Sequence, residues 1–503
     1  MEMEDHPCVL LIYPEYPDTF WSFKHALKFV SKKAAFPPLG LLTVAAMLPK
    51  HWKKTLIDLN VRPLTDADLN GVDLAFISAM AVQRDSTLDV IRRCKEKKIK
   101  MVAGGPLFTT QINESEMDPA FDAVDYLILG EVEGVLPTFL KDLETNRAKK
   151  IYKKQEWPSI ETSPIPAWEL LDMKHYDSMS IQYSRGCPFK CEFCDILILN
   201  GNRPRTKTTG QILNELETLY NHGWRGAVFI VDDNFIGNRV ALKKELLPAM
   251  IEWMDRKKHP FFFFTEASLD LTDDDELIRS MVRSGFRKVF IGIETPHEDS
   301  LAECNKFANR NRNMLASIQK LQQNGLEVQG GFIVGFDNDP VSIFEKQIRF
   351  IQRSGIVTAM VGLLTAMKGT RLYERLEKEN RLLHSSTGNN TDFSINFVPK
   401  MNRDVLLDGY RSVVKTIYSP GEYYKRILIF FKHFHPLKWG KNNFRFIYVG
   451  AFLRSIWYIG IRNKERKYYW KLISWTLRRR PKLFAQAIEF SILGFHFRKV
   501  FEV

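Results

Sequence analysis

Three cysteines, Cys187, Cys191 and Cys194, stand at spacing C-x₃-C-x₂-C in the stretch SRGCPFKCEFCD. They follow directly on an alternating apolar run at 179–183 that reads as a strand. A tight loop of this kind brings three thiolates to one face of an iron–sulfur cube, and four-iron clusters normally take four cysteines. A loop with three, in a chain with no obvious fourth, leaves one iron open to another ligand. The alternatives are a zinc knuckle and a redox-active thiol cluster. Zinc wants a fourth Cys or His at short spacing, and the nearest histidine, His175, lies upstream in a different local setting. The missing ligand favours iron–sulfur chemistry.

At 503 residues the chain has room for about three domains. Its 45% hydrophobic and 26% charged content is ordinary for a globular protein. Six cysteines in all, three of them in the loop, fit a reducing compartment better than a disulfide framework. Cys8, Cys94 and Cys304 are scattered and read as small buried hydrophobes. The first residues are acidic, without a charged-then-apolar signal segment. No uncharged apolar run is long enough for a transmembrane helix. The expected location is therefore cytoplasmic.

The elements that must position the loop can be read on either side of it. Before it, apolar runs at 7–12, 54–59, 74–78, 100–103 and 126–129 alternate with helical stretches at 41–48, 86–98 and 132–143. That order predicts a parallel sheet with helices on both faces, binding ligands beyond the carboxyl ends of its strands. The punctuation falls at those ends: Ser78, the Gly104-Gly105-Pro106 turn, and Gly130-Glu131. Glycine pairs let a flat ligand approach the backbone, although ordinary turns explain each one as well. A proline-bearing stretch at 152–176 reads as an extended linker.

After the cysteines, six strands are expected at 180–184, 227–231, 261–265, 288–293, 328–334 and 358–363, with helices between them. Six βα units fit a partial barrel, whose chemistry gathers at the carboxyl ends of its strands. Asp232 and Asp233 end the second strand; adjacent acids are costly to bury unpaired, unless they simply cap a turn. Glu266 ends the third strand, Glu294 the fourth and Gly335 the fifth. The polar stretch 386–395 reads equally as a lid or as an exposed connection.

The charge is concentrated at the far end. From 421 to 503, 18 Lys/Arg stand against 4 Asp/Glu, a balance of +14 out of a total of +13, so the preceding residues sum to −1. The same stretch holds 21 aromatic residues. Residues 446–461 are apolar but for Arg454, and 464–480 interleave Tyr468, Tyr469, Trp470 and Trp475 with seven basic residues. Rings among snorkelling cations suit a helix lying in a membrane interface. Nucleic-acid binding and a plain helical cap are the rival readings, the first disfavoured by the aliphatic content.

The cysteine triplet, with Phe193 before its last member, resembles the signature of radical S-adenosylmethionine (SAM) enzymes. Pro38, Leu39 and Gly40 of the PPLG turn, Gly104-Gly105-Pro106, and the GE-x-E of Gly130, Glu131 and Glu133 resemble the cobalamin domain of the class B methyltransferases in that superfamily. FPPLGLLTVAAMLP, VAGGPLFTT, FIVDDNFIGN and GGFIVGFD extend the likeness to a subfamily with a C-terminal helical extension that includes the hopanoid C-2 methylases. The cobalt-ligating D-x-H-x-x-G motif is absent, so the resemblance implies cobalamin without a protein histidine on its lower face.

The resemblance implies an α/β protein of successive parts. These are a doubly wound, Rossmann-like cobalamin domain (1–145), a linker (146–177), a partial (βα)₆ radical SAM barrel (178–400) and a mainly α extension (401–503). It implies a [4Fe-4S] cluster on Cys187, Cys191 and Cys194, and SAM contacts from Phe193, Asp232, Asp233, Glu266, Glu294 and Gly335. It places cobalamin against Pro38, Leu39, Gly40, Ser78, Gly104, Gly105, Pro106, Gly130 and Glu131. The implied activity is methylation of an unactivated carbon on a hydrophobic terpenoid or lipid, with a ferredoxin- or flavodoxin-like electron donor. Peripheral contact with the anionic inner face of the cell membrane goes with such a substrate, and nucleic acid is not an expected partner. A cyclase or rearrangement enzyme with the same cofactors, and a non-catalytic cobalamin or iron–sulfur sensor binding nucleic acid, are the competing functions.

Overall fold

The computed structural model describes residues 6–110, 118–153, 156–389, 391–436 and 446–502, and the side chains of 446–448 are not described. Most of the acidic N-terminal stretch and part of the expected linker lie outside the described residues. Strands β1 (Cys8–Tyr13), β2 (Lys53–Asp58), β3 (Leu74–Ser78), β4 (Lys100–Gly104), β5 (Tyr126–Leu129) and β6 (Ile151–Lys153) form one parallel sheet. Its order is β2-β1-β3-β4-β5-β6. Successive residues of β1 enter opposite cores, Leu10 and Ile12 on one side, Val9 and Leu11 on the other. That two-sided burial is why the strands read as unbroken apolar runs. Strand order reverses at β1, where doubly wound sheets open a crevice between neighbouring carboxyl ends. β6 lies within the stretch expected to be linker. Its three residues are too short to show a period, and only pairing with β5 makes them a strand.

The second sheet runs β7 (Ser178–Ile181), β10 (Ala227–Ile230), β11 (Phe262–Glu266), β12 (Phe286–Glu294), β13 (Glu327–Val334) and β14 (Ala359–Leu363), paired in that order and parallel throughout. The six expected units are present and the sheet stays open, with β7 and β14 at its edges. Between β7 and β10 a two-stranded antiparallel ribbon, β8 (Ser184–Arg185) with β9 (Arg205–Thr206), brackets the cysteine loop.

The C-terminal region is helical: Arg403–Tyr418, Pro420–His433, Phe446–Ser455 continuing to Ile461, Arg466–Arg479 and Phe484–Val500. An open edge strand exposes carbonyls that must find donors. Tyr418 and Tyr410 supply them, donating to Ala359 O (2.7 Å) and Val361 O (3.1 Å) of β14. Fully buried Arg426 donates to Ile417 O and Val357 O between the Tyr418 and Tyr423 rings. Tyr423, Tyr424, Phe430, Phe431, Tyr469, Phe490 and Phe497 are likewise buried in the barrel's core. Phe497 stacks on Phe20 from the excursion between β1 and β2 (4.3 Å between centroids). Much of the aromatic content expected at a membrane interface is thus core. Composition counts rings but does not say which way they point. Among the described residues no helix is long and apolar enough to cross a membrane.

Candidate functional site

The cysteine loop hangs between the two sheets and is held from three sides. Strand β10 ends in the first anchor. Asp232 is buried and accepts from Tyr183 N, Ser184 N and Ser184 Oγ at 2.6–2.8 Å. Burial pushes its carboxyl up to about 7 against the pull of those Ser184 and Tyr183 bonds. Asp233 accepts from Gly186 N (2.7 Å) and from Asn200 Nδ2 (2.9 Å). Both acids expected at SAM therefore brace the backbone just before Cys187. Gly186 has φ +93°, and a Cβ there would stand 2.6 Å from Arg203 O, so this turn needs glycine.

The second anchor comes from the first sheet. Arg185 donates to Glu131 (2.9 Å) and to both oxygens of Glu133 (2.8 and 2.9 Å). Arg205, its cross-strand partner in the ribbon, also grips Glu131 (2.5 and 2.8 Å). Two arginines directly opposite would repel; the GE-x-E carboxylates after β5 neutralise the pair. Burial alone would raise Glu133, but Arg185 holds it at about 2. Glu131, expected at cobalamin, is buried and satisfied by these guanidinium donors. The third anchor is the ion pair of Glu192 with Arg375 (2.7 Å), which also binds Asp337 beyond β13 (2.8 Å).

Within this frame the three thiols carry no disulfide; Cys187 feels the charge of Cys191, and Cys194 that of both Cys191 and Cys187. Burial pushes all three up from the ordinary thiol value. Among the described residues no three His, Cys, Asp or Glu side chains converge on a single ion.

Lys306, not singled out in the sequence, lies beside them. Burial would lower its ammonium, yet Glu294, Cys191 and Cys194 raise it. It pairs with Glu294 at 2.7 Å. Glu294 closes β12 in the left-handed region (φ +62°), unusual for a residue with a side chain. Asn309 Nδ2 pins the turn, donating to Gly292 O and Ile293 O (3.0 and 3.1 Å). A lone lysine in CNKF carries no motif, which is why the sequence did not reveal it.

Glu266 closes β11 with no hydrogen-bond partner among the described residues; burial and then Asp233 push it up to about 8. Phe193 packs near Phe336 (6.2 Å between centroids), and Gly335 (φ +108°) begins the turn in which Asp339 accepts from Gly335 N and Phe336 N. Glu266, Glu294, Lys306 and Gly335 thus stand at or just beyond the carboxyl ends of the barrel strands, on the cysteine side.

At the first sheet, Pro38 caps the helix Leu39–Met47, and exposed Gly40 has nothing within 4 Å of where a Cβ would lie. Gly105 (φ +91°) sits 2.8 Å from Ser78 Oγ by the same measure, and Gly104 2.9 Å from Ile128 O. These two glycines serve close strand-end packing, with Pro106 starting the next short helix. Gly130 (φ +96°) turns the chain toward Glu131. Small residues and exposed backbone thus gather at the carboxyl ends of β3, β4 and β5, a surface compatible with the close approach of a flat ligand. Gly388 packs against Ala81 and Val82, so the polar stretch meets the first sheet at the turn that follows β3.

Comparison with known proteins agrees with this geometry. A family model described as the Radical SAM superfamily matches residues 181–351, and a domain of unknown function matches 370–503. The chain is 40% identical over 498 residues to an uncharacterized methyltransferase of Synechocystis sp., covering 98% of this chain and 92% of that one. It is 33% identical over 477 residues to the hopanoid C-2 methylase of Rhodopseudomonas palustris, covering 92% and 88%. In fold it matches the cobalamin-dependent S-adenosylmethionine radical enzyme OxsB with aqua-cobalamin bound. That match has TM-score 0.62 at 14% identity and covers 99% of this chain and 80% of that one.

Proposed function

The chain belongs to the radical SAM methyltransferases, and from that premise we propose that it binds cobalamin and methylates an unactivated carbon of a hydrophobic, hopanoid-like substrate. The observation that carries the reading is the cysteine loop, braced from β10 and simultaneously clamped to the GE-x-E turn of the first sheet. A cluster centre and a methyl-carrier shelf must keep a set distance for one to serve the other, and this clamp ties them.

When bound, the cluster and SAM supply a carbon-centred radical and cobalamin supplies the methyl group. The chain's own residues do the rest. Cys187, Cys191 and Cys194 would hold three irons, and Lys306 sets a positive charge beside them. Unpartnered Glu266 is available to a ligand ammonium, and Lys306, shared with Glu294, to a carboxylate. Phe193 and Gly335 would border the adenosine side. Pro38, Leu39, Gly40, Ser78, Gly104, Gly105, Pro106 and Gly130 would line the cobalamin shelf, with Glu131 acting through Arg185 and Arg205. A ferredoxin- or flavodoxin-like donor and peripheral membrane contact complete the reading.

The test is anaerobic reconstitution with iron, sulfide and cobalamin, followed by assay with labelled SAM. Wild-type protein is expected to release 5′-deoxyadenosine and to transfer label to a lipid extract. The Cys187→Ala, Cys191→Ala, Cys194→Ala variant should do neither. Deoxyadenosine without label transfer would favour a cyclase or rearrangement instead.

A further inference from the structure

We propose that the exposed face made by Val449, Leu453, Trp457 and Ile461, with Trp470 and Leu477 beside it, is a docking surface for an anionic lipid bilayer. The first four recur every four residues along the continuous helical stretch Phe446–Ser455 and Ile456–Ile461, so they share one side. Their exposures are 37%, 59%, 49% and 47%. The opposite side is firmly packed. Ala451 and Ile459 are buried, Ser455 Oγ meets Tyr469 Oη at 2.8 Å, and Arg454 donates to Phe29 O at 2.8 Å. Among the described residues this helix thus keeps one apolar face uncovered, which globular surfaces rarely keep without a partner. Trp470 Nε1 donates to Gly460 O (2.9 Å), which joins the next helix, with Leu477, to the same patch.

Charge identifies the occupant. Between 446 and 482 the sequence has ten Lys/Arg and a single acid, Glu465. Glu465 is already paired with Arg498 (3.1 Å). Arg462, Lys464, Arg466, Lys467, Lys471, Arg478, Arg479 and Lys482 are exposed. Arg462 lies over the Trp457 ring (5.1 Å), so cation and apolar stripe adjoin. A second copy pressed against this face would set those cations against their equivalents. A nucleic acid would meet the charge but gain no stacking from Val449, Leu453, Ile461 and Leu477. An anionic leaflet satisfies both features: the side chains enter the headgroup–acyl boundary and the cations meet lipid phosphates. Among the described residues no helix is long and apolar enough to cross. The proposal rests on the hydrophobic-substrate reading only for its purpose, delivery of substrate from the bilayer.

The experiment is vesicle flotation of the full-length, cofactor-loaded chain with phosphatidylcholine alone and with phosphatidylcholine–phosphatidylglycerol. Wild type should float with the mixed vesicles, and the Leu453→Ser, Trp457→Ser, Ile461→Ser variant should bind about tenfold or more weakly. The Lys467→Glu, Lys471→Glu, Arg478→Glu variant alters only exposed positions and so guards against misfolding. It should lose the preference for anionic lipid by about fivefold per cation engaged. SAM cleavage in detergent should be unchanged in both. Three results overturn the proposal: no flotation of wild type, flotation that neither variant weakens, or a wild-type dimer in sedimentation velocity that the serine variant abolishes. A chain that methylates in detergent yet never floats refutes docking alone; one that floats but cleaves no SAM refutes the proposed function instead.

Discussion

Replacing Glu133 with Gln keeps the shape of the interface between the first sheet and the cysteine loop and removes one buried charge. The Glu133 carboxylate is held at about 2 against 4.5 for a free glutamate. At ~1.4 kcal/mol per pKa unit that difference corresponds to about 3 kcal/mol. Its side chain is almost wholly buried, so little is lost to solvent screening. Because the folded value is depressed, the stabilisation is fully present above pH 4.5 and is lost as pH falls towards 2. At neutral pH the Gln variant should therefore show the whole effect. Glu131 still faces Arg185, which keeps the loss at the lower end of the ~3–5 kcal/mol for breaking a buried pair. The interface opens locally, so hydrogen–deuterium exchange across the β8–β9 ribbon is the direct measurement. A loss of ~3 kcal/mol there speeds exchange by about two orders of magnitude. The same variant should raise the ratio of deoxyadenosine to methylated product, since the loop is no longer tied to the sheet. Unchanged exchange in the ribbon at neutral pH would refute the clamp.

Glu266 is raised to about 8, so it is largely protonated at neutral pH; SAM affinity should tighten as pH is raised through that value, measured by equilibrium binding to the reconstituted protein. Glu266→Gln should flatten that profile and weaken binding by about tenfold or more, the loss of one charge-assisted hydrogen bond. Lys306→Met removes the cation facing Cys191 and Cys194. An EPR-monitored redox titration should then show a more negative cluster potential, whereas Lys306→Arg should restore much of it, because positive charge favours the more negative reduced cluster.

Short-range chemistry was written plainly in the chain. The C-x₃-C-x₂-C loop, the two-sided apolar runs of the parallel strands and the six βα units depend on spacing and period, which neighbouring residues define by themselves. β6 escaped because three residues show no period and become a strand only beside β5. The partners of side chains from distant elements were equally hidden. That Asp232 and Asp233 brace the loop, and that Glu131 neutralises two arginines, could not be read from the spacing that marked them as ligand contacts. Lys306 carried no signal at all, and the tail's rings proved to be divided between core and surface.

The sequence by itself determined what the loop is made of and which strand ends surround it, because thiolate spacing and hydrophobic period are local properties. Only the tertiary structure decided which charges meet. A buried carboxylate needs a donor wherever one can be brought to it, and Arg185 and Glu133 are brought together by two sheets folding against each other.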